Sequence, residues 1–331
     1  MEAMGRHTVL LLIALLCPLH PNSAEAAPQP RSMRVGIPVA DLRKEPRAPL
    51  PVRDHDLLEQ TQLLYGERVE VLEEKEGWAR VEAVEQLEWS ENQRWQGYPG
   101  WVQQTALVPD NPRWVPNLMV TKKETDVLKG PGYESSFFMR LPMGSRLLAT
   151  GRTNPSNELR EIRLIDGRAG WVQVIGARPL EQLRKKAVEE SPLLRTDLAA
   201  TAQQFLGDPY YWGGRSAYQY DPQAPVPPHT GVDCSGLVGL VYQANGIQIP
   251  RDAHEQWMQA VPISPEQLSP GDLIFLHDPE NPEKVTHVML YIGKERIIEG
   301  PGTGKPVREI SLKDRLREAK GRRISFGTYL P

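Results

Sequence analysis

Cys234 has the clearest chemical potential in the chain, and it lies in residues 231–246 (GVDCSGLVGLVYQANG). The apolar residues that follow have the spacing of one buried helix face: Leu237, Val238, Val241 and Tyr242. This pattern predicts a loop that turns into a helix with Cys234 in its first turn. Backbone N–H groups and the helix dipole there favour thiolate over thiol, so Cys234 is a candidate nucleophile. The alternative is a small buried hydrophobe, as most free cysteines are.

A cysteine nucleophile needs a base, and the base needs a third group that orients its ring. The histidines beyond the N-terminal segment are His55, His229, His254, His277 and His287. His287 alone begins a predicted core strand, residues 287–292, where a rigid scaffold can aim it at the cysteine helix. Alternation along this strand places His287 on one face with Met289 and Tyr291.

The elements that must position these groups follow from turn and capping signals. Residues 180–196 are charged and helix-prone, and a second helix is expected over residues 197–205. Asn245-Gly246 is a signal for the end of the cysteine helix. Asp252 and Glu255 have capping-box spacing for a short helix to about residue 260. With strands expected over residues 273–276 and 296–299, the layout is α+β.

The N-terminus has the pattern of a targeting segment. Residues 9–16 form a short apolar run, and Ala24-Glu25-Ala26 is a small-x-small cleavage site, which predicts a signal peptide over residues 1–26. Leu16 before Cys17 is bulky where a lipoprotein signal requires a small residue, so we expect export to the periplasm or medium. Cleavage leaves Cys234 as the one cysteine, which favours a reactive thiol in an oxidising compartment.

Composition excludes several classes of partner. The formal net charge of the 331-residue chain is −3, and removal of the signal changes it by one unit. This balance argues against nucleic-acid binding and against an anionic membrane surface, and no other stretch is long and apolar enough for membrane insertion. Cysteine and histidine are too few at ligand spacing for a zinc site, so we expect no metal or other cofactor. We also expect a monomer.

Two segments before the cysteine region repeat one pattern. Gly97-Tyr-Pro-Gly-Trp-Val-Gln is echoed by Asp166-Gly-Arg-Ala-Gly-Trp-Val-Gln, and each motif ends a strand-rich stretch. Residues 27–34, which precede both stretches, are interpreted as a flexible leader. The two stretches predict a duplicated small β-barrel, residues 35–110 and 116–180. Both resemble bacterial SH3-like (SH3b) domains, whose closing strand carries Gly-Trp-Val. Core packing is expected for Trp101 and Trp171, whereas the aromatics expected to be exposed and available to line a binding surface are Trp95, Tyr98 and Trp114.

Residues 197–331 resemble the catalytic domain of the NlpC/p60 family of cysteine peptidases. The matching motifs are Pro209-Tyr-Tyr-Trp-Gly-Gly, Asp233-Cys-Ser-Gly-Leu, Pro270-Gly-Asp-Leu-Ile-Phe and His287-Val-x-x-Tyr-Ile-Gly. The resemblance implies a papain-like fold in which the cysteine begins a helix and the histidine lies on the neighbouring sheet.

Catalytic roles follow from the resemblance by position. Cys234 matches the nucleophile, His287 the general base and acid, and Tyr210 a tyrosine near the thiolate or oxyanion. The third catalytic position is Glu299, where the family most often has histidine. A carboxylate can still accept the imidazole N–H and stabilise the imidazolium. The alternatives are an exposed strand-end charge for Glu299 and a core aromatic for Tyr210.

The order of domains resembles the γ-D-glutamyl-diamino-acid endopeptidases of the dipeptidyl-peptidase VI type, which cleave murein stem peptides after L-Ala-γ-D-Glu. Some of these recognise a free alanine amine through an aspartate, here Asp252, and the serine after it, here replaced by Ala253. The alternative role of Asp252 is the helix cap. The further expected pocket contacts are Asp233, Ser235, Trp212 and Arg215, with Arg215 facing a substrate carboxylate. The proline-rich residues 217–230 are expected to form a rim.

Two rival functions stay open at this point. The first is an amidase or acyltransferase on the same scaffold, which acts on the muramoyl–alanine bond. The second is a non-catalytic wall-binding protein with a decayed site, and Glu299 is the residue that keeps this possibility open.

Overall fold

A computed structural model describes residues 31–49, 55–189, 191–217 and 230–330. The predicted signal peptide and most of the expected rim, residues 218–229, lie outside these ranges. In the described part of the chain, no helix has the length and hydropathy needed to cross a bilayer.

The N-terminal region consists of two antiparallel sheets with the same topology. The first has strands β1 to β7: Arg31–Val35, Val39–Arg43, Glu59–Leu64, Arg68–Lys75, Trp78–Trp89, Trp95–Gln103 and Leu107–Pro109. The second has β8 to β14: Leu118–Val120, Glu124–Leu128, Phe137–Pro142, Arg146–Thr153, Leu159–Arg163, Ala169–Gln173 and Ala177–Pro179. The spatial orders are β3-β2-β6-β5-β4-β1-β7 and β10-β9-β13-β12-β11-β8-β14. Each strand of the first sheet therefore has a counterpart in the second.

The expectations for residues 31–34 and for Trp114 are wrong. Residues 31–34 belong to β1, which pairs with β4 and β7, instead of to a leader. Met33 and Val35 are buried on one side of the strand, but an alternation this short between arginines gives little signal in the sequence. Trp114 is only 3% exposed, and its indole N–H donates to the Arg163 carbonyl at 2.8 Å. A partner for its one polar group makes burial of this tryptophan favourable.

The C-terminal region combines five helices of the described residues with a six-stranded antiparallel sheet. The elements in order are α1 Leu180–Glu189, α2 Ser191–Gln203, β15 Arg215–Ser216, β16 Gly231–Val232, α3 Cys234–Ala244, α4 Ala253–Gln259, β17 Val261–Pro262, β18 Leu273–His277, β19 Val285–Gly293, β20 Arg296–Glu299, β21 Arg308–Ser311, α5 Leu312–Glu318 and β22 Ile324–Thr328. The sheet order is β17-β22-β18-β19-β20-β21, and β15 pairs with β16 apart from it. Helix α2 begins at Ser191, earlier than expected, because Leu194 joins Leu198 in the core.

The central strand β19 separates two apolar layers, as its alternation predicts. Val288 and Leu290 belong to the cluster that contains Leu237 and Val238 of α3. The opposite face, including Met289 and Tyr291, belongs to a second cluster with Leu312 of α5. The nucleophile helix is therefore held on one side of the strand that carries His287, and α5 on the other.

Buried polar contacts join the first N-terminal sheet to the C-terminal region. The Gln62 side-chain oxygen, on β3, accepts from the Arg215 backbone N–H at 3.1 Å and from the Ser216 hydroxyl at 2.7 Å. Such contacts are directional and leave water excluded, so they fix the orientation of the two regions as well as their separation.

Candidate active site

Cys234 occupies the first turn of α3, as predicted, and is 8% exposed. Asp233 caps the helix, since its Oδ1 accepts from the Gly236 N–H at 2.6 Å. The Leu237 N–H donates to the Asp233 carbonyl at 3.0 Å, so the Cys234 amide precedes the helical hydrogen-bond ladder. This amide and the positive end of the helix dipole can stabilise an oxyanion that forms beside Cys234.

Arg251 supports this cap and was missed by sequence reasoning. Its side chain is 1% exposed and donates to Asp233 through Nη1 at 3.1 Å and Nη2 at 2.8 Å. It also donates to the Ser235 hydroxyl at 3.0 Å and, through Nε, to Thr61 of β3 at 2.6 Å. Asp233 and Ser235, expected as pocket contacts, are thus hydrogen-bonded within the fold. A buried arginine ties the N-terminus of α3 to the first sheet.

Replacing Arg251 with methionine is expected to lower the free energy of unfolding by about 3–5 kcal/mol, because the Asp233 carboxylate stays buried without its cation. Chemical denaturation measures this loss. The control is Arg317→Met, whose side chain is 67% exposed and whose effect should stay within about 0.5 kcal/mol. Equal stability of the two variants would show that Arg251 does not support the cap.

His287 and Glu299 form the predicted pair. His287 Nε2 donates to Glu299 Oε2 at 2.7 Å, and their side chains are 9% and 0% exposed. Burial opposes protonation of His287, but the charge and hydrogen bond of Cys234, and then those of Glu299, outweigh it and raise its pKa to about 9. The imidazole therefore contacts the cysteine on one side and the carboxylate on the other.

Glu299 is not an exposed strand-end charge, because the residue is 1% exposed. Arg308 donates to its Oε1 through Nη2 at 2.7 Å and Nε at 3.0 Å, and Arg315 donates to Oε2 through Nε at 2.8 Å. Burial would raise the pKa of Glu299, but the hydrogen bonds and charges of His287 and Arg315 hold it at about 2. The carboxylate is therefore ionised at any pH at which the protein would work.

Tyr210 lies beside the cysteine. Its backbone forms a parallel β-bridge with Val232, two residues before Cys234. Its ring lies 3.4 Å from the position that a Cβ atom on Gly300 would occupy. Burial and the charges of Cys234 and Asp233 raise the pKa of its phenol. The hydroxyl thus keeps its proton and can donate it in a hydrogen bond.

Asp252 does not cap α4, although it is the residue at the cap position. Its carboxylate is 42% exposed, accepts from the Tyr98 hydroxyl at 2.8 Å and lies 3.5 Å from Arg251 Nη1. Tyr98 comes from β6 and is 8% exposed as a residue, so it was wrongly expected to be exposed. Burial, and to a smaller extent the charge of Asp252, raise the pKa of the nearby Glu255 to about 7.

Trp212 and Arg215 have different surroundings. Trp212 is 41% exposed, and its ring lies 4.7 Å from that of His55, which hydrogen bonds to Thr303 at 3.3 Å. Arg215 is buried, paired with Glu67 at 2.8 Å and donating to Gln243 at 2.9 Å. Gln243 lies near the far end of α3, about 13 Å along the helix from Cys234. The Arg215 guanidinium is therefore held by contacts inside the fold and does not face an open cleft.

No group of three or more histidine, cysteine, aspartate or glutamate side chains arranged to hold a metal occurs within residues 31–49, 55–189, 191–217 and 230–330.

Comparison with known proteins agrees with this geometry. The model of the NlpC/P60 family matches residues 207–321, which include Cys234, His287 and Glu299. This part of the chain is an NlpC/P60 domain. A crystal structure of an NlpC/P60 family protein from Bacillus cereus ATCC 10987 superimposes with a TM-score of 0.73 over 91% of this chain and 100% of that one, at 24% identity. The likeness shows that the two share a fold.

Two curated relatives of this NlpC/P60-containing chain bear the same name, gamma-D-glutamyl-L-lysine dipeptidyl-peptidase. The protein from Bacillus subtilis (strain 168) is 28% identical over 263 residues, which cover 78% of each chain. The protein from Bacillus cereus (strain ATCC 10987 / NRS 248) is 29% identical over 263 residues, 76% of this chain and 70% of the relative. In both cases the likeness extends beyond the NlpC/P60 domain into the β-sheet region.

Proposed function

We propose that this chain is a cysteine endopeptidase of peptidoglycan peptides that cleaves the γ-D-glutamyl–diamino acid bond of L-Ala-γ-D-Glu-diamino acid substrates. The observation that carries the proposal is the pair Tyr98–Asp252, linked through Arg251 and Asp233 to the cysteine that His287 contacts. A nucleophilic thiol and a carboxylate suited to bind an amine are thus held on one scaffold. The names of the two relatives support the same reaction.

The first half of the reaction is acyl transfer to sulfur. The Cys234 thiolate attacks the γ-carbonyl carbon of D-glutamate, and the carbonyl oxygen becomes an oxyanion. The amide of Cys234 and the Tyr210 hydroxyl are the donors that we assign to it. The C–N bond then breaks as His287, protonated in the resting pair, gives its proton to the departing amine of the diamino acid.

The second half transfers the acyl group to water. Neutral His287 takes a proton from a water molecule, which attacks the thioester carbon. The carbon–sulfur bond breaks, and the thiolate and imidazolium are restored while the dipeptide leaves. Glu299 holds the imidazole by its Nε2–H throughout, which leaves Nδ1 for the proton that moves.

Asp252 is proposed to bind the free ammonium of the N-terminal alanine. Its partly exposed carboxylate is held by the Tyr98 hydroxyl, and the helix cap does not use it. Ala253 lacks the hydroxyl expected at the next position, so Tyr98 is the polar neighbour that compensates. Asp233 and Ser235 do not contact the substrate but hold Arg251 by hydrogen bonds. Trp212 and His55 form one wall of the pocket.

The remaining assignments follow from this substrate. Assembled peptidoglycan lies outside the cytoplasm, which is consistent with a signal peptide over residues 1–26 and with export to the periplasm or medium. We assign the two sheets to SH3b domains, residues 35–110 and 116–180, because both repeat one strand order and carry Gly-Trp-Val on β6 and β13. The first of them supplies Tyr98 to the cleft.

The rival of a decayed, non-catalytic site is less consistent with the observed geometry. A site that had lost its function would not need to keep His287 and Glu299 in contact or to pair the carboxylate with two arginines. The amidase rival shares the catalytic groups and differs in the bond cleaved, so product analysis separates it from the proposed peptidase.

The test compares L-Ala-γ-D-Glu-diaminopimelate with the same peptide acetylated on the alanine amine. Wild type should prefer the peptide with the free amine. Asp252→Asn should lower kcat/KM on that peptide by about 10- to 100-fold, which corresponds to the loss of one charge-assisted hydrogen bond. The same variant should change kcat/KM on the acetylated peptide little. The control is Asp166→Asn, whose carboxylate is similarly exposed at 39% but lies in the turn between β12 and β13. Equal rates of wild type on both peptides would refute the role of Asp252.

A further inference from the structure

The environment of Glu299 contains more positive charge than a catalytic carboxylate needs for orientation alone. Each of its oxygens has an arginine: Arg308 on Oε1 and Arg315 on Oε2, the oxygen that also accepts from His287. Arg308 comes from β21 and Arg315 from α5, so separate elements converge on one carboxylate. The arginine side chains are 28% and 10% exposed, and that of Glu299 is 0% exposed.

We infer that Arg308 and Arg315 are positioning residues that hold the Glu299 carboxylate and limit how strongly it retains the proton of His287. The inference rests on the proposed function, because it concerns the same proton that leaves with the diamino acid. It assigns a catalytic consequence to two residues that do not touch the substrate. The arginine pair is also distinct from the residues that sequence motifs identify.

The physical argument concerns a buried carboxylate beside an imidazole. Without other cations, the negative charge of Glu299 would stabilise the imidazolium strongly, since screening inside the fold is weak. A proton held too tightly is returned slowly to a leaving amine. The two arginines partly neutralise that negative charge through three N–H donors, which are Nε and Nη2 of Arg308 and Nε of Arg315. Their positive charges also repel the imidazolium. Glu299 can then orient His287 while the imidazolium is still able to give its proton to the leaving amine.

The charged groups around His287 are few among the described residues. Cys234 faces it from α3 and Glu299 from β20, and both favour the imidazolium. Arg315 and Arg308 reach it through Glu299 and oppose the imidazolium. Beyond them, Glu318 on α5 pairs with Arg308 at 2.5 Å and lies 4.0 Å from Arg315. Loss of either arginine should therefore raise the pKa of His287.

The test is a direct titration of the His287 ring by NMR, with its resonance assigned from the spectrum of His287→Ala. Wild type should titrate with a midpoint of about 9. Arg315→Gln should raise this midpoint by about one pH unit, because it removes a cation within the range over which charges shift pKa values. Arg315→Lys keeps the charge and should lie nearer to wild type.

Two further variants make the outcome decisive if Arg315→Gln folds poorly. Arg308→Gln removes the more exposed cation and should raise the midpoint as well. Arg317→Gln, on the same helix but 67% exposed and paired with Asp314, should leave it unchanged. Unchanged midpoints in a folded Arg315→Gln or Arg308→Gln would overturn the inference. Since no substrate is present, this result is independent of whether the proposed reaction is correct.

Discussion

Replacement of Cys234 by alanine is expected to abolish hydrolysis of L-Ala-γ-D-Glu-diaminopimelate, with kcat lower by about 10⁴-fold or more, as for the loss of a covalent nucleophile. The alanine leaves the cap, the Tyr210 hydroxyl and His287 in place, but no atom can form the thioester. The loss is measured by following release of diaminopimelate over hours at high enzyme concentration. Substrate binding, measured by calorimetry, should persist.

The control for this variant is a measurement of its thermal stability. Cys234 is small and 8% exposed, so thermal unfolding of Cys234→Ala should stay close to that of wild type. Retention of more than about 1% of wild-type kcat would mean that the thiol is not the nucleophile, because nucleophile loss normally costs far more than 100-fold. Preserved wall binding with no hydrolysis in either protein would instead favour the non-catalytic rival.

Replacement of Glu299 by glutamine is expected to lower kcat by about 10³- to 10⁴-fold, by analogy with loss of the orienting carboxylate in serine peptidases. The amide keeps the size of the side chain but removes the anion that holds His287 Nε2–H. The pKa of His287 should fall below its value of about 9, so the alkaline limb of the pH profile should move to lower pH.

The same substitution leaves Arg308 and Arg315 facing a neutral group, and the free energy of unfolding should fall by about 3–5 kcal/mol. The matched control is Glu318→Gln, since Glu318 also contacts Arg308 but its side chain is 45% exposed. That variant should keep both its kcat and its alkaline limb. A Glu299→Gln enzyme with wild-type kcat and an unchanged limb would contradict a catalytic role for the carboxylate.

Local sequence signals were sufficient for the elements that carry the chemistry. The apolar spacing after Cys234 and the Asn245-Gly246 stop signal predict α3, and its observed bounds agree. The strand expected over residues 287–292 lies within β19, and the strand over residues 296–299 matches β20. These patterns are local consequences of burying one face of a helix or both faces of a central strand. The contact between His287 and Glu299 then follows from the pairing of adjacent strands.

The groups that tune the site were not predictable in this way. Arg251, Arg308 and Arg315 have no motif that distinguishes them from surface arginines, and their roles become visible only when long-range packing places them against Asp233 and Glu299. Tyr98 reaches Asp252 from a strand of another sheet, far away along the chain. Arg215 shows the opposite error, because it was expected to face a substrate carboxylate, whereas it is buried and its guanidinium contacts Glu67 and Gln243.

Mass analysis of the products tests the central claim most directly. The substrates are the stem tetrapeptide L-Ala-γ-D-Glu-diaminopimelate-D-Ala and the same peptide attached to N-acetylmuramic acid. The proposed reaction predicts that the free tetrapeptide yields the dipeptide L-Ala-D-Glu and diaminopimelyl-D-Ala, and that the sugar-linked peptide is a poor substrate. Release of the intact tetrapeptide from the sugar, with no cleavage after D-glutamate, would contradict it.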